Sequence, residues 1–235
     1  MDQLIPNKLP IKLIVFDVAG TTAQDDGLVV EAFRRAMIAL GVEDNSPKLQ
    51  EMINYVDATM GQRKIDVFTH LCEGDINKAN QAHNLFIDNY VTLIEEGKLQ
   101  EFPGIKKLFN DLSARGITLA ITTGFPRVIL DKIIFALDWK DYINFSVAAS
   151  EVEKGRPAPD MIMKSIELYN QVFSPNISPE NIVVVGDTES DIQSGLAAGA
   201  QMVVGVETGA HTKDQLSKVG ATHILNQAIE LNTIC

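Results

Sequence analysis

Four short apolar runs, each ending in small or polar residues, restrict the folds open to this chain more than any other feature. They occupy Lys12–Asp17, Ile117–Thr123, Ile182–Asp187 and Met202–Val206. Their hydrophobicity is almost unbroken, the pattern of parallel strands covered on both faces rather than the alternation of a half-exposed sheet. Phe145–Ala149 is a weaker fifth candidate, third in chain order. Helical patterns fall between and after these runs, at Gly104–Arg115, Arg127–Leu137, Asp160–Tyr169, Asp191–Ala198 and Thr212–Val219. Strand and helix in alternation predict an α/β fold with a doubly wound parallel sheet.

One connection breaks that rhythm. Between Ala23 and about Leu99 the chain offers no convincing strand, only amphipathic helical segments such as Leu28–Leu40, Lys64–Leu71 and Lys78–Ile94. The stretch is too long for a simple crossover. It predicts an inserted all-helical domain over residues 23–99, with residues 1–22 and 100–235 forming the sheet domain. The entry near Asp25–Gly27 and the exit near Gly97–Pro103 contain glycine and proline, which suits hinges beneath a moving lid.

With 235 residues, 46% apolar and 22% charged, the chain has ordinary globular composition and length enough for a sizeable core. A formal net charge of -11 argues against a general nucleic-acid binder, since a phosphate backbone needs cationic partners. The same charge is compatible with a small anionic substrate where a metal ion supplies positive charge locally. Cys72 and Cys235 have neither metal-ligand spacing nor a disulfide pattern, so a reducing, cytoplasmic setting is expected. Met1–Lys12 lacks the basic start and apolar run of a secretion signal. No apolar stretch approaches the ~20 residues that cross a bilayer.

In open α/β sheets ligands collect at the carboxyl ends of the strands. The first run ends in Asp17, followed by Val18, Ala19, Gly20, Thr21 and Thr22. The second ends in Thr122, Thr123 and Gly124, and the Ile182 run in Gly186 and Asp187, with Asp191 close behind. A turn holding Lys154 and Arg156 lies between those two. Asp17 and Asp187 offer two carboxylates to a hard cation such as Mg²⁺, with Asp191 as a third or supporting group. Such a cation lets a carboxylate approach a phosphoryl group despite like charge, which makes Asp17 a plausible covalent nucleophile. Thr123 and the Gly124 amide can bond phosphoryl oxygens, and Arg156 can neutralise developing charge. Singly, each has an ordinary alternative: a helix cap for Asp17 or Asp187, a turn for Thr122 and Thr123, surface charges for Lys154 and Arg156. The ordered combination is what carries the reading.

These four motifs resemble those of the haloacid-dehalogenase superfamily and span nearly the whole chain outside the insert. The resemblance implies a Rossmann-like core, a helical cap of the first-insertion type, Mg²⁺ and an aspartyl-enzyme intermediate. It makes Asp17 the nucleophile, Thr123 the phosphate-binding hydroxyl and Arg156 the basic residue. Asp187 and Asp191 fall to the metal site, and Gly20, Thr21 and Gly124 to the substrate loops.

Most phosphatases of that superfamily carry a second aspartate two residues after the nucleophile, which protonates the departing alkoxide. This chain has Ala19 there. Losing a general acid, typically worth ~10²–10⁴-fold, is serious for a P–O bond and matters less for a P–C bond, whose leaving carbanion needs an electron sink. An iminium formed by a lysine is such a sink. The segment Met60-Gly61-Gln62-Arg63-Lys64-Ile65-Asp66, with Met60 and Lys64 on one helix face, supplies a candidate. Together with the loop after Asp17 it resembles phosphonoacetaldehyde hydrolases. That resemblance makes Lys64 the Schiff-base amine, Met60 its packing neighbour and Ala19 a backbone-carbonyl ligand of Mg²⁺, and it implies a homodimer through cap helices. Val67 stands where those enzymes carry a histidine and Phe125 where they carry a tyrosine, and His70 lies off the Lys64 face. The expected substrate is phosphonoacetaldehyde or a related phosphonate. The alternatives are a small phosphate monoester such as phosphoglycolate, with Lys64 merely binding an anion, or a non-catalytic phosphometabolite sensor.

Overall fold

The protein, seen in a computed structural model, is described over residues 9–235; the reading of the amino terminus rests largely on residues 1–8, outside that range. The apolar runs form strands where expected: β1 (Leu13–Phe16), and, after the insert, β4 (Thr118–Thr123), β5 (Phe145–Ala148), β6 (Ile182–Gly186) and β7 (Met202–Val206). A short strand not expected from the sequence, β8 (His223–Leu225), completes a parallel six-stranded sheet of order β5-β4-β1-β6-β7-β8. Its three half-buried residues show neither alternation nor an apolar run.

Both sheet faces are covered, which explains the unbroken hydrophobicity. Ile14 and Phe16 of β1 point into one core with Phe109 of α5 (Ile105–Ala114) and Ile129 of α6 (Arg127–Ala136). Leu13 and Val15 point into the other, with Ile162 and Ile166 of α7 (Asp160–Val172). The helix α8 (Glu189–Ala198) follows β6, and α9 (Lys213–Lys218) follows β7. The chain runs outward from β1 through β4 and β5, then returns to β6 on the other side. This reversal leaves a crevice beyond the ends of β1, β4 and β6.

Between β1 and α5 the chain is not wholly helical, a correction to the expectation. Ala23–Gln24 (β2) and Gln100–Glu101 (β3) pair antiparallel as a small ribbon at the insert's two crossings. Two-residue strands are too short to carry a period-two signature. Trp139 Nε1 donates to Glu101 Oε2 at 2.8 Å, tying the ribbon to the sheet unit.

Beyond the ribbon stand α1 (Leu28–Ala39), α2 (Pro47–Ala58), α3 (Lys64–Leu71) and α4 (Ile76–Glu95). Their small and aromatic residues interlock: Ala32, Ala36, Ala79 and Ala82 are fully buried, and the Phe68 ring lies 5.5 Å from Phe33 and 5.6 Å from Phe86. The unexpected α2 begins with Pro47 and is capped by the Ser46 hydroxyl, which accepts from Leu49 N at 3.1 Å. Among the described residues no helix is long and apolar enough to cross a membrane.

Candidate active site

β1 ends one residue before Asp17, which is buried; the Asp17 N–H bonds Val185 O at 2.9 Å and so continues the ladder toward β6. The chain then folds back sharply. The N–H groups of Thr21, Thr22 and Ala23 all point at Val18 O, and Gly20 turns at φ 86°. Only glycine suits that position: its backbone is left-handed, and a Cβ would stand 2.5 Å from Asp187 Oδ2.

Three carboxylates converge at this point. Asp17, Asp187 and Asp191 are all buried, each offering an oxygen, with these atoms within 4.8 Å of one another. Thr21 Oγ1 donates to Asp187 Oδ1 at 2.8 Å and Ala210 N–H to Asp187 Oδ2 at 2.8 Å. Asp191 Oδ2 accepts from Thr188 N at 3.1 Å, within the capping box of α8. Buried hard oxygens on three acidic groups suit a divalent cation, and one guanidinium offsets only part of their charge. The residues present therefore fit a metal ion.

That guanidinium is Arg156, with a side chain 3% exposed. Its Nη1 reaches Asp17 Oδ1 at 2.5 Å, its Nε reaches Asp191 Oδ1 at 2.9 Å, and Nη2 donates to Thr122 Oγ1 at 2.6 Å. Lys154, two residues earlier on the same turn, is exposed. Burial pushes the Asp17 carboxyl up to about 7, opposed by Arg156 and reinforced by Asp191. Asp187 is driven well above the carboxylate range by burial and by the charges of Asp17 and Asp191. Burial works against the Arg156 charge, yet Asp191 and Asp17 hold its pKa above the usual value.

A cavity of about 770 Å³ opens in front of these groups, between the sheet ends and the insert. Asp17, Ala19, Gly20, Met60, Lys64, Thr123, Gly124 and Asp187 all line it. Thr21, Arg156 and Asp191 lie behind it: Thr21 is fully buried, and its hydroxyl orients Asp187 rather than facing the cavity. Thr123 Oγ1 accepts the Phe125 N–H at 3.3 Å.

Lys64 is the first residue of α3 and only 6% exposed, unlike an ordinary solvated lysine. Burial lowers its pKa to about 8 against the pull of Asp25 and Asp17. Its Nζ lies 5.7 Å from the centre of the Phe125 ring, which packs on Tyr90 at 4.6 Å. Met60 is not on the helix with it, contrary to the sequence expectation, because Gly61 at φ 81° places it in the preceding turn. Val67 is buried in the insert, and His70 is exposed and stacked on Tyr55 at 4.2 Å.

The turn from Gly61 to Lys64 sits directly on three loops of the sheet unit. A Cβ on Gly61 would overlap the Thr188 hydroxyl, one on Gly124 would overlap Gln62 O, and one on Gly155 would stand 2.6 Å from Arg63 Cβ. Lys64 N–H also bonds Gly124 O at 3.3 Å, and Arg63 Nη1 donates to Glu153 O at 3.1 Å. Asp25, Tyr90, Thr122, Thr188, Gly155 and Ala210 were not singled out as site residues by sequence reasoning. The capping-box spacing of Thr188 and Asp191 was a legible signal; the others depend on long-range contacts.

Comparison with known proteins agrees with this architecture. A phosphorylated carbohydrates phosphatase from Thermotoga maritima is 23% identical over 95% of this chain and 98% of its own. A phosphonoacetaldehyde hydrolase from Bacteroides fragilis is 25% identical, covering 94% of this chain and 87% of its own. In fold, the chain is similar to a crystal structure of a phosphonoacetaldehyde hydrolase-like protein from Oleispira antarctica, with a TM-score of 0.80 and 22% identity over 97% of this chain and 92% of that one. Residues 14–205 match the haloacid dehalogenase-like hydrolase family, and with its sheet, strand-end carboxylates and buried Arg156 in place the chain belongs to that family of hydrolases.

Proposed function

We propose that this hydrolase is a phosphonatase-like enzyme that cleaves the P–C bond of phosphonoacetaldehyde or a related phosphonate. The observation that carries the reading is Lys64: a buried amine, lowered toward neutrality, lining the same cavity as Asp17. Ala19, where a general acid would serve a P–O bond, supports it.

Asp17, Asp187 and Asp191, with the Ala19 carbonyl, would hold Mg²⁺, which when bound supplies positive charge beside the phosphoryl oxygens. The helical insert serves as a cap over residues 23–99. Neutral Lys64 adds to the aldehyde carbon and, with uptake of one proton and loss of water, gives an iminium. The Asp17 carboxylate then attacks phosphorus. The P–C electron pair moves into the iminium to give an enamine, and the phosphoryl group ends on Asp17 as an acyl phosphate. Arg156 fixes Asp17 for this attack, while Thr123 and the Gly124 amide hold phosphoryl oxygens. One water releases phosphate from Asp17; protonation and hydrolysis of the enamine return Lys64 and free acetaldehyde. The sum is substrate plus water giving acetaldehyde and phosphate.

A second reading, hydrolysis of a small phosphate monoester such as phosphoglycolate, is favoured by Val67 and Phe125, which carry no transferable proton beside Lys64. The resemblance to the Thermotoga phosphatase also supports it. Phosphate release with Mg²⁺ from phosphonoacetaldehyde and from a panel of esters decides between them. Turnover of the phosphonate that is lost in Lys64→Ala and in Asp17→Asn is the expected result. Turnover of an ester that survives Lys64→Ala, without phosphonate turnover, would establish the second reading.

A further inference from the structure

Carbonyl chemistry at Lys64 needs a group that moves protons, and the side chains nearest in role to such a group, Val67 and Phe125, cannot do so. Five carboxylates line the cavity. Asp17 and Asp187 belong to the metal-binding cluster, and Asp26 and Asp57 are exposed at the rim. The fifth is Asp25. It lies in the turn entering α1, where its Oδ1 accepts the Val29 N–H at 3.2 Å and fixes the carboxylate against the helix end. Tyr90, reaching across from α4, has a buried hydroxyl with no hydrogen-bond partner, and it faces Asp25.

We propose that Asp25 is the catalytic acid–base of the carbonyl chemistry at Lys64, carrying protons between the lysine nitrogen and the oxygen of an aldehyde or ketone substrate. The inference rests on the Schiff-base reading above. Asp25 takes a proton from the Lys64 ammonium, leaving the neutral amine. As nitrogen adds to the carbonyl carbon, the C=O π pair moves to oxygen, which takes that proton. Asp25 next removes a proton from the nitrogen of the adduct and returns it to the hydroxyl, which departs as water while the nitrogen lone pair forms C=N. Ammonium plus carbonyl thus give iminium plus water, and Asp25 ends as it began.

The groups around it suit the exchange. Asp25 and Lys64 line one cavity with Asp17, Asp26 and Asp187. The charges of Asp25, Asp17, Arg156 and Asp187 act on Lys64 as those of Lys64 and Asp26 act on Asp25, with Tyr90 of α4 under the influence of Asp25. Burial raises Asp25 and lowers Lys64, which narrows the gap a proton crosses between them. The Tyr90 hydroxyl, buried and unpartnered, is a donor left free to serve Asp25 during the exchange.

The test is borohydride trapping of the full-length protein with phosphonoacetaldehyde, read as the rate of reductive labelling at Lys64 by peptide mass from about pH 6 to about pH 9. Wild type should label Lys64. Asp25→Asn should label about 10²-fold more slowly, with a changed pH profile, and Asp25→Glu should recover much of the rate. Tyr90→Phe, a milder change, should shift the pH profile while the chain stays folded, and it carries the test should Asp25→Asn not fold. Equal rates and profiles in wild type, Asp25→Asn and Tyr90→Phe overturn the inference and leave Lys64 standing. A slowed Asp25→Asn with an unchanged profile and no recovery by glutamate means a packing role and also overturns it. Absence of label on wild-type Lys64 overturns both this inference and the Schiff-base reading.

Discussion

Gly61 of the insert lies against the side chain of Thr188 at the start of α8, so close that a Cβ on Gly61 would overlap the threonine hydroxyl. Thr188 also bonds Asp191 of the carboxylate cluster. The turn that carries Lys64 is thereby seated on the same element that orients that carboxylate.

Replacing Gly61 by alanine should therefore hold the insert away from the sheet. The residue sits at φ 81°, where a Cβ costs about 1–2 kcal/mol in itself, and the overlap with Thr188 adds to it. Misplacing Lys64 by about 1 Å is expected to lower kcat/KM by about 10²-fold, whereas the sheet unit keeps its stability. Steady-state kinetics beside thermal unfolding checks this; unchanged kinetics would show that the contact does not set the active geometry.

Ala19→Asp should give the enzyme the acid it lacks. Ala19 lines the cavity two residues after Asp17, so a carboxyl there can reach a departing oxygen. Ester hydrolysis is expected to rise by about 10²-fold while cleavage of the phosphonate falls or stays level. The comparison is phosphate release from the same ester panel by the two proteins.

Lys64→Met should stabilise the folded protein at neutral pH. The lysine titrates at about 8 when folded against its ordinary 10.5, so below about 8 the folded state must hold a buried charge that the unfolded chain solvates freely. Between the two values the unfolded state binds more protons, and wild-type stability rises with pH; above 10.5 the difference is gone. The substitution removes a penalty of at most about 3 kcal/mol at pH 7. Denaturant melts of both proteins from pH 7 to about pH 10 should converge as pH rises. A constant gap would place the lysine in solvent.

Mg²⁺ should raise Tm. At about a hundred times its dissociation constant it contributes about 2.7 kcal/mol, or roughly 5–10 °C for a chain of this length. Asp187→Asn should abolish that increment, because Asp187 is one of three carboxylates sharing the site. Thermal melts in EDTA and across a Mg²⁺ titration measure it; an equal increment in the variant would put the ion elsewhere.

Much of the sheet was legible because parallel strands buried on both faces must be apolar along their length. Leu13–Phe16 and Ile182–Gly186 could be read directly, and the rule that ligands gather at strand ends then pointed to Asp17 and Asp187. Thr21 was a harder case: its place in the loop was plain, but its hydroxyl turns inward to Asp187, a partner 166 residues away. Separation in sequence likewise hides the nearness of Asp25 to Tyr90, and the meeting of Gly155 with Arg63. No local period encodes such contacts. The Ser46–Pro47 start of α2 was there to be seen, since a serine before a proline is a helix entry.

Gln24 and Gln100 are register partners in the β2–β3 ribbon. In topological terms, everything from Asp25 to Leu99 is thus the loop of a single β-hairpin, enlarged until it holds four helices. Closing so long a loop costs little extra, about 0.6 kcal/mol for each doubling of its length, and the helices offset this with a core of their own. A two-residue turn joining Gln24 directly to Gln100 would remove the entire unit and leave the six-stranded sheet with its connections unbroken.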